Sequence, residues 1–261
     1  MKKNSKFESL KTIFIAIFIA LLIRSFIAEP FNIPSGSMKP TLLIGDYLFV
    51  KKWSYGYSKH SLPFSLPLIK NRIFYTQPER GDIAAFKTPE DNKTDYIKRI
   101  IGLPGDRIQV INGIVFLNDI ALTKIQINDF IEKDYNNIVE FKLAIKLNIF
   151  SNISISEEGE VGVSQFEEFL GNKKYRTLDV HNTSISDNTN IFVVPDNYFF
   201  VLGDNRDNSQ DSRFQIPGFI PINNLVGKAW IVFFSLENSR FFEIWKWPKA
   251  IRYSRIFSLI L

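Results

Sequence analysis

The feature that most constrains this chain is an apolar run close to its N-terminus. From Thr12 to Ala28 the sequence is hydrophobic, broken only by Arg24 and Ser25. A stretch of that length lies at the short end of what crosses hydrocarbon. Arg24 sits near its far end, where a long side chain can snorkel to the interface. Lys2, Lys3, Lys6 and Lys11 precede the run, which favours a cytoplasmic N-terminus and an exported remainder. A cleaved leader has the same charge and length pattern. However, with Ala28 at −1 the −3 position would be Phe26, and Pro30 follows closely, so the small-x-small site is missing. The expectation is an uncleaved anchor at residues 12–28 behind a cytoplasmic tail at 1–11.

Beyond the anchor the pattern changes to short alternating segments punctuated by Gly-Asp and Pro. Gly45-Asp46, Gly81-Asp82, Gly105-Asp106 and Gly203-Asp204 each stand beside an apolar run. This spacing predicts a mainly β architecture. The first part of the core is assigned to residues 29–117 and the second to 191–239. Between them, residues 118–190 are rich in Asn, Ser and Glu, with scattered strands such as Ile138–Leu147, and look like an inserted subdomain without readable chemistry. Trp53–Phe74 is an aromatic, Pro-bearing loop too apolar for a simple solvated one; it either dips into lipid or packs on the core. The tail, 240–261, mixes Trp245, Trp247 and Phe257 with Lys246, Lys249, Arg252 and Arg255. That composition suits a membrane interface, and a packed terminal helix explains it almost as well.

Composition removes several chemistries. With no cysteine there is no disulfide framework, thiolate nucleophile or Cys-ligated metal. His60 and His181 are the only histidines, and neither falls in a Gly-x-Ser-x-Gly elbow or a His-Glu-x-x-His helix. No Ser-x-x-Lys and no Gly-rich phosphate loop occurs, so neither a metal nor a cofactor is expected. The formal charge of +5 is spread along the chain rather than gathered into a stripe. Anionic lipid therefore explains it more simply than nucleic acid.

Three segments could carry chemistry. Pro34-Ser35-Gly36-Ser37-Met38-Lys39-Pro40-Thr41-Leu42 reads as a turn, and Ser37 lies within roughly 30 Å of the membrane face even if the chain from Ala28 is fully extended. In Tyr96-Ile97-Lys98-Arg99-Ile100-Ile101, period two sets Tyr96, Lys98 and Ile100 on one strand face. That matters because a lysine acts as a base only when neutral, and about one exposed lysine in a thousand is neutral near pH 7. Apolar neighbours can lower its pKa by several units, although an edge-strand lysine reaching to solvent is the plainer reading. Gly203–Arg213 is a polar run after the apolar Phe199–Leu202. It fails as a calcium loop, since Arg206 takes the third position and no glutamate closes it. A solvated loop and a hydrogen-bonded scaffold under an active site both remain open.

Together these segments resemble bacterial type I signal peptidases. The matching stretches are Pro34–Met38 with Pro40-Thr41-Leu42, Glu79–Ile83 with Phe86, Asp95–Arg99 with Gly102–Asp106, and Gly203–Arg213, in the family's order behind an N-terminal anchor. The resemblance covers roughly residues 8–115 and 190–235. It implies a fold of coiled antiparallel β-sheets, with the insertion as a β-rich cap away from the catalytic core. It also implies a Ser–Lys dyad, with Ser37 as nucleophile and neutral Lys98 as base. The Ser37 N–H and the Ser35 hydroxyl would form the oxyanion hole. Ser209 would hold Lys98, with Asp211 and Arg213 bracing that loop. Ile33, Met38, Leu42 and Ile97, with Tyr96 beside them, would bind substrate at shallow pockets for small residues at −1 and −3. The implied partners are signal-peptide-bearing preproteins and the lipid bilayer, at the bacterial cytoplasmic membrane. Two departures stand out: one anchor where some members have two, and Phe214–Pro217 lengthening the step after Arg213. The rival readings are a specialised peptidase maturing one pilus or conjugation component, and an inert membrane-anchored adaptor that binds exported peptides.

Overall fold

The computed structural model describes residues 3–132, 138–139, 142–143, 152–156, 160–181 and 184–260. Helix α1 (Lys3–Leu22) continues through a wider π-type turn, Ile23–Ile27, straight into β1 (Ala28–Asn32). The helical stretch Glu8–Ile27 is long and apolar enough to cross a membrane. The apolar helical stretch starts before the expected 12–28 segment and ends one residue sooner, because Ala28 already pairs with Lys51 in the sheet. Arg24 does not reach into solvent alone; it is ion-paired at 2.7 Å with Glu29, the second residue of β1.

The strands that follow are β2 (Asp46–Lys51), β3 (Ile83–Lys87), β4 (Asp95–Gly102), β5 (Arg107–Ile111) and β6 (Ile114–Leu117). Next come β7 (Ile120–Ala121), β8 (Thr123–Glu132), β9 (Ile153–Ile155), β10 (Val161–Leu170) and β11 (Lys173–Leu178). The last are β12 (Phe192–Val193), β13 (Tyr198–Leu202), β14 (Ile220–Pro221), β15 (Leu225–Ser235) and β16 (Ser258–Leu259). One large sheet runs in the order β1-β2-β15-β3-β4-β13-β14, with β16 added to β15. Two smaller sheets, β11-β10-β8 with β9 on β10 and β12-β5-β6-β7, complete the mainly β, antiparallel fold.

The Gly-Asp pairs punctuate it by one repeated device. Gly45, Gly81 and Gly105 take φ of 87°, 83° and 87°, the left-handed region where a side chain is strained. The aspartate after each then turns back and accepts the N–H three residues earlier. Leu43 donates to Asp46 at 2.8 Å, Glu79 to Asp82 at 3.1 Å and Leu103 to Asp106 at 2.7 Å. Each turn thus enters a strand with its backbone donor already satisfied. Gly203-Asp204 is a different object, treated with the site below.

Ile33, Met38, Leu42, Leu48, Val50, Ile83 and Ala85 form the core beneath the Pro34–Leu42 turn, closed by Val226, Ala229 and Val232 of β15. The alternation along β2 places Asp46, Leu48 and Val50 inward. Asp46 is fully buried there, held by Ser235 Oγ at 2.7 Å and by the Arg255 guanidinium. That contact ties down the C-terminal tail, in which Trp247–Ala250 forms a short helix with Ala250 buried. The tail folds back as a strand, β16, on β15, leaving Phe242, Trp245 and Phe257 exposed. The Trp53–Phe74 loop is likewise tied down, since Arg72 donates to the carbonyls of Tyr55, Gly56, Ile222 and Leu225. Its Phe64, Leu68 and Phe74 still point outward.

The insertion departs from expectation. It is not a cap held away from the catalytic core but part of the core's packing. Leu170 and Tyr175 join Ile101, Ile108, Phe200 and Leu202 in one buried cluster, and Leu178 N–H donates to Asp204 O at 2.8 Å. Glu168 is buried against the guanidinium of Arg206, with both side chains almost inaccessible to water. Most of the strand expected at Ile138–Leu147 lies outside the described residues, and Ile138, Val139, Lys142 and Leu143 within it are helical. Helix and strand patterns are hard to separate in so short an apolar run.

Removing one partner of a buried ion pair strands the other charge. Glu168→Ala is therefore expected to destabilise the whole protein by about 3–5 kcal/mol, read as a lower thermal midpoint. An unchanged melt would contradict this account of the insertion.

Candidate active site

The Pro34–Leu42 turn is anchored on two sides. Met38 is 2% exposed and sinks into the core. On the other side Asn205 N–H donates to Ser37 O and its side-chain amide to Gly36 O, each at 3.1 Å. Ser37 is thereby held half-buried at the head of the turn. Its backbone N–H donates to no described residue, and the Ser35 hydroxyl stands 3.4 Å from the Ser37 hydroxyl.

Lys98 arrives from β4. Register pairs it with Ala84 of β3, and its strand face carries Tyr96 and Ile100, which pack with Ala84, Phe86 and Phe199. Only 4% of Lys98 is exposed. Its Nζ donates to Ser37 Oγ at 2.5 Å and lies 5.6 Å from the centre of the Tyr96 ring. Burial lowers its pKa to about 8; the negative charges of Asp211 and Asp204 oppose that shift, and Arg213 adds to it. The physical cause is desolvation, which disfavours the ammonium form.

Arg99, on the opposite face, sets the scaffold beneath. Its Nε and Nη2 each contact the Asp204 carboxylate at 2.8 Å, its Nη1 donates to Gly81 O at 2.7 Å, and its guanidinium lies 4.2 Å from the centre of the Tyr175 ring. Burial favours the neutral form of Arg99, but Asp204 outweighs it and the pKa is raised. Asp204 in turn accepts from Thr41 Oγ1 at 2.5 Å, linking β4 to the turn that bears Ser37. Asp211 is hydrogen-bonded to both ends of the returning loop. It accepts from Gly203 N–H at 3.0 Å and from Arg213 Nε and Nη2, each at 2.9 Å, while Arg213 also donates to Arg206 O. The lengthened step after Arg213 is closed off locally, with Ser212 Oγ donating to Gly218 O at 2.7 Å.

Two expected residues stand elsewhere. Ser209 does not hold Lys98: its hydroxyl is buried and makes no hydrogen bond to any described residue. It packs into the space a side chain at Gly203 would occupy, with Ser37 O only 2.6 Å from that same position. Gly203 is thus a close-approach glycine rather than a left-handed turn. Leu42 does not reach the surface either. Its N–H donates to Met38 O one turn back, which carries its side chain fully into the core. Ile33, Met38, Tyr96 and Ile97 do line a groove of about 670 Å³ together with Ser35, Ser37 and Lys98.

This arrangement can do nucleophilic chemistry at a hydroxyl paired with a desolvated amine. Residues 6–234 match the family model described as signal peptidase, peptidase S26. The chain belongs to that family. Signal peptidase I of Rickettsia typhi is 39% identical over 253 residues, covering 92% of this chain and 89% of that protein. The Rickettsia massiliae protein of the same name is 38% identical and covers 98% and 93%. A solved signal peptidase I from Enterococcus faecalis superposes loosely, with a TM-score of 0.30, 24% identity, and coverage of 59% of this chain and 97% of that one.

Within this S26 chain, sequence reading passed over Asn205, Asp204, Thr41 and Arg99 as supports of the site. All four lie inside the quoted motifs; what hid their roles is that their partners come from other motifs. The burial of Lys98 also has an energetic signature. A pKa near 8 against about 10.4 unfolded costs the fold on the order of 3 kcal/mol wherever both states would otherwise be charged. Unfolding takes up a proton between those values, so the penalty is full below pH 8 and fades as pH rises toward 10.4. Lys98→Met is expected to raise the thermal midpoint at pH 7, with the gain shrinking above pH 8. A destabilised variant at pH 7 would contradict the buried-amine account.

Proposed function

We propose that this protein is a membrane-anchored serine endopeptidase that removes N-terminal signal peptides from exported preproteins. The observation that carries the mechanism is the 2.5 Å contact from buried Lys98 Nζ to Ser37 Oγ. In the neutral form Lys98 accepts the hydroxyl proton as Ser37 Oγ attacks the scissile carbonyl. The tetrahedral oxygen is taken up by the uncommitted Ser37 N–H and the Ser35 hydroxyl, and one such donor is typically worth about 3 kcal/mol. The protonated lysine then delivers its proton to the leaving amine. The acyl-enzyme formed on Ser37 is hydrolysed by water activated by the same amine. Asp204, Asp211 and Arg213 hold the loop against both partners.

Substrate docking follows from the sheet. β1 is an edge strand, and β13 pairs with β4 only from Arg99 onward, so Asp95–Lys98 has a free edge. The groove lies between these two edges. An extended peptide adds there as a strand, its main chain supplying affinity and the side-chain pockets selectivity. Ile33, Met38, Tyr96 and Ile97 leave room for small side chains at −1 and −3. The lysines ahead of the apolar helix retain that end in the cytoplasm, placing the catalytic domain outside the cytoplasmic membrane, where the preprotein's own apolar segment is held.

Two measurements on detergent-solubilised protein test this. Ser37→Ala and Lys98→Ala should each abolish preprotein cleavage while the protein remains folded; retained activity in either overturns the dyad. For the wild type, kcat/KM should fall about tenfold per pH unit below pH 8 and level off above it, because only neutral Lys98 is competent. A profile flat from pH 6 to pH 9 would contradict the assignment.

A further inference from the structure

Lys39 stands two residues beyond Ser37 and is 3% exposed, although it carries a charge. Its Nζ donates to both carboxylate oxygens of Glu132, at 2.9 and 2.8 Å. Glu132 is the last residue of β8, the first long strand of the insertion, and its side chain is as buried as that of Lys39. A buried ion pair of this kind adds little net stability, since desolvating both groups offsets their attraction. Its physical use is to fix geometry, because each charge penalises any arrangement that separates it from the other.

The geometry it fixes is that of the nucleophile turn. Lys39 N–H donates to Gly36 O at 3.0 Å, closing the turn around Ser37. The lysine stem then lies across Gly36, with Cε and Cδ 3.4 and 3.5 Å from where a side chain there would begin. Met38 pins the turn to the core and Asn205 holds its carbonyls. Lys39 is the restraint that ties it to the insertion. Resting on the dyad reading above, we propose that the Lys39–Glu132 pair is a positioning device that lets the insertion hold Ser37 Oγ at its working distance from Lys98. Neither residue touches substrate. An insertion without chemistry of its own thereby acquires a role in the reaction.

The test compares Lys39→Met, which keeps the stem, and Glu132→Gln, which keeps the shape, with a Lys39→Met/Glu132→Leu double variant. Full-length protein in detergent is assayed on a preprotein, with thermal melts alongside. The pair as a positioning device predicts kcat down about tenfold to a hundredfold in each single variant, the range expected for a misplaced reacting group, with KM within about twofold. It further predicts that the double variant recovers the wild-type melt but not kcat, since apolar replacement restores packing without the directional hold. Full kcat in either folded single variant overturns the proposal, as does kcat returning together with the melting temperature in the double variant. Ser37→Ala run in parallel separates the two levels. Activity there removes the dyad and the proposal with it, whereas an inactive Ser37→Ala beside a fully active Lys39→Met removes the positioning role alone.

Discussion

An amine kept out of water is the constraint on which this molecule is organised. In the proposed dyad Lys98 can serve Ser37 only after shedding its proton, and its burial, costly to the fold, lowers the pH at which it does so. Tyr96 and Ile100 flank it on its strand face, Ala84 lies opposite on β3, and Ser37 Oγ meets it at 2.5 Å. Asp204 and Asp211 work against the shift by favouring the ammonium, and both are largely engaged elsewhere. Asp204 answers Arg99 and Thr41, and Asp211 answers Arg213 and the Gly203 N–H. The lysine is thus surrounded by charge that is already paired, so burial prevails.

The same economy of pairing joins the insertion to the core. Glu168 with Arg206, Lys173 with Asp82, and Glu132 with Lys39 bridge segments far apart in the chain. Tyr175 of β11 lies over Arg99, so the scaffold under the proposed dyad is built from both parts. The anchor is integrated in a comparable way, since the apolar helix passes without a linker into β1, the edge that borders the groove. The apolar helix, the edge strand β1 and the Ser37 turn are consecutive along the chain, so on the proposed reading only a handful of residues separate the lipid from the scissile bond.

How much of this was legible in the sequence follows from the reach of each interaction. The strand face of Lys98 was readable because period two is local, and the Gly-Asp turns because each closes over three residues. The Ser37 turn was visible, but which of its apolar residues faces the groove was not. Met38 and Leu42 are a helical turn apart, and only the packed core decides that Leu42 stays inside. Gly203 looked like its three counterparts until Ser209 and Ser37 were seen to fill its side-chain position. The contacts of the insertion were the least readable, because Lys39 and Glu132 are 93 residues apart and no local pattern relates them.

The central claim is that burial lowers the pKa of Lys98 well below that of an exposed lysine, and its own titration tests that most directly. With lysine side chains isotopically labelled at the ε position and Lys98→Met used for assignment, NMR chemical shift against pH gives its pKa in the resting protein. The account predicts a midpoint near 8. A midpoint at the ordinary lysine value near 10.4 would contradict it.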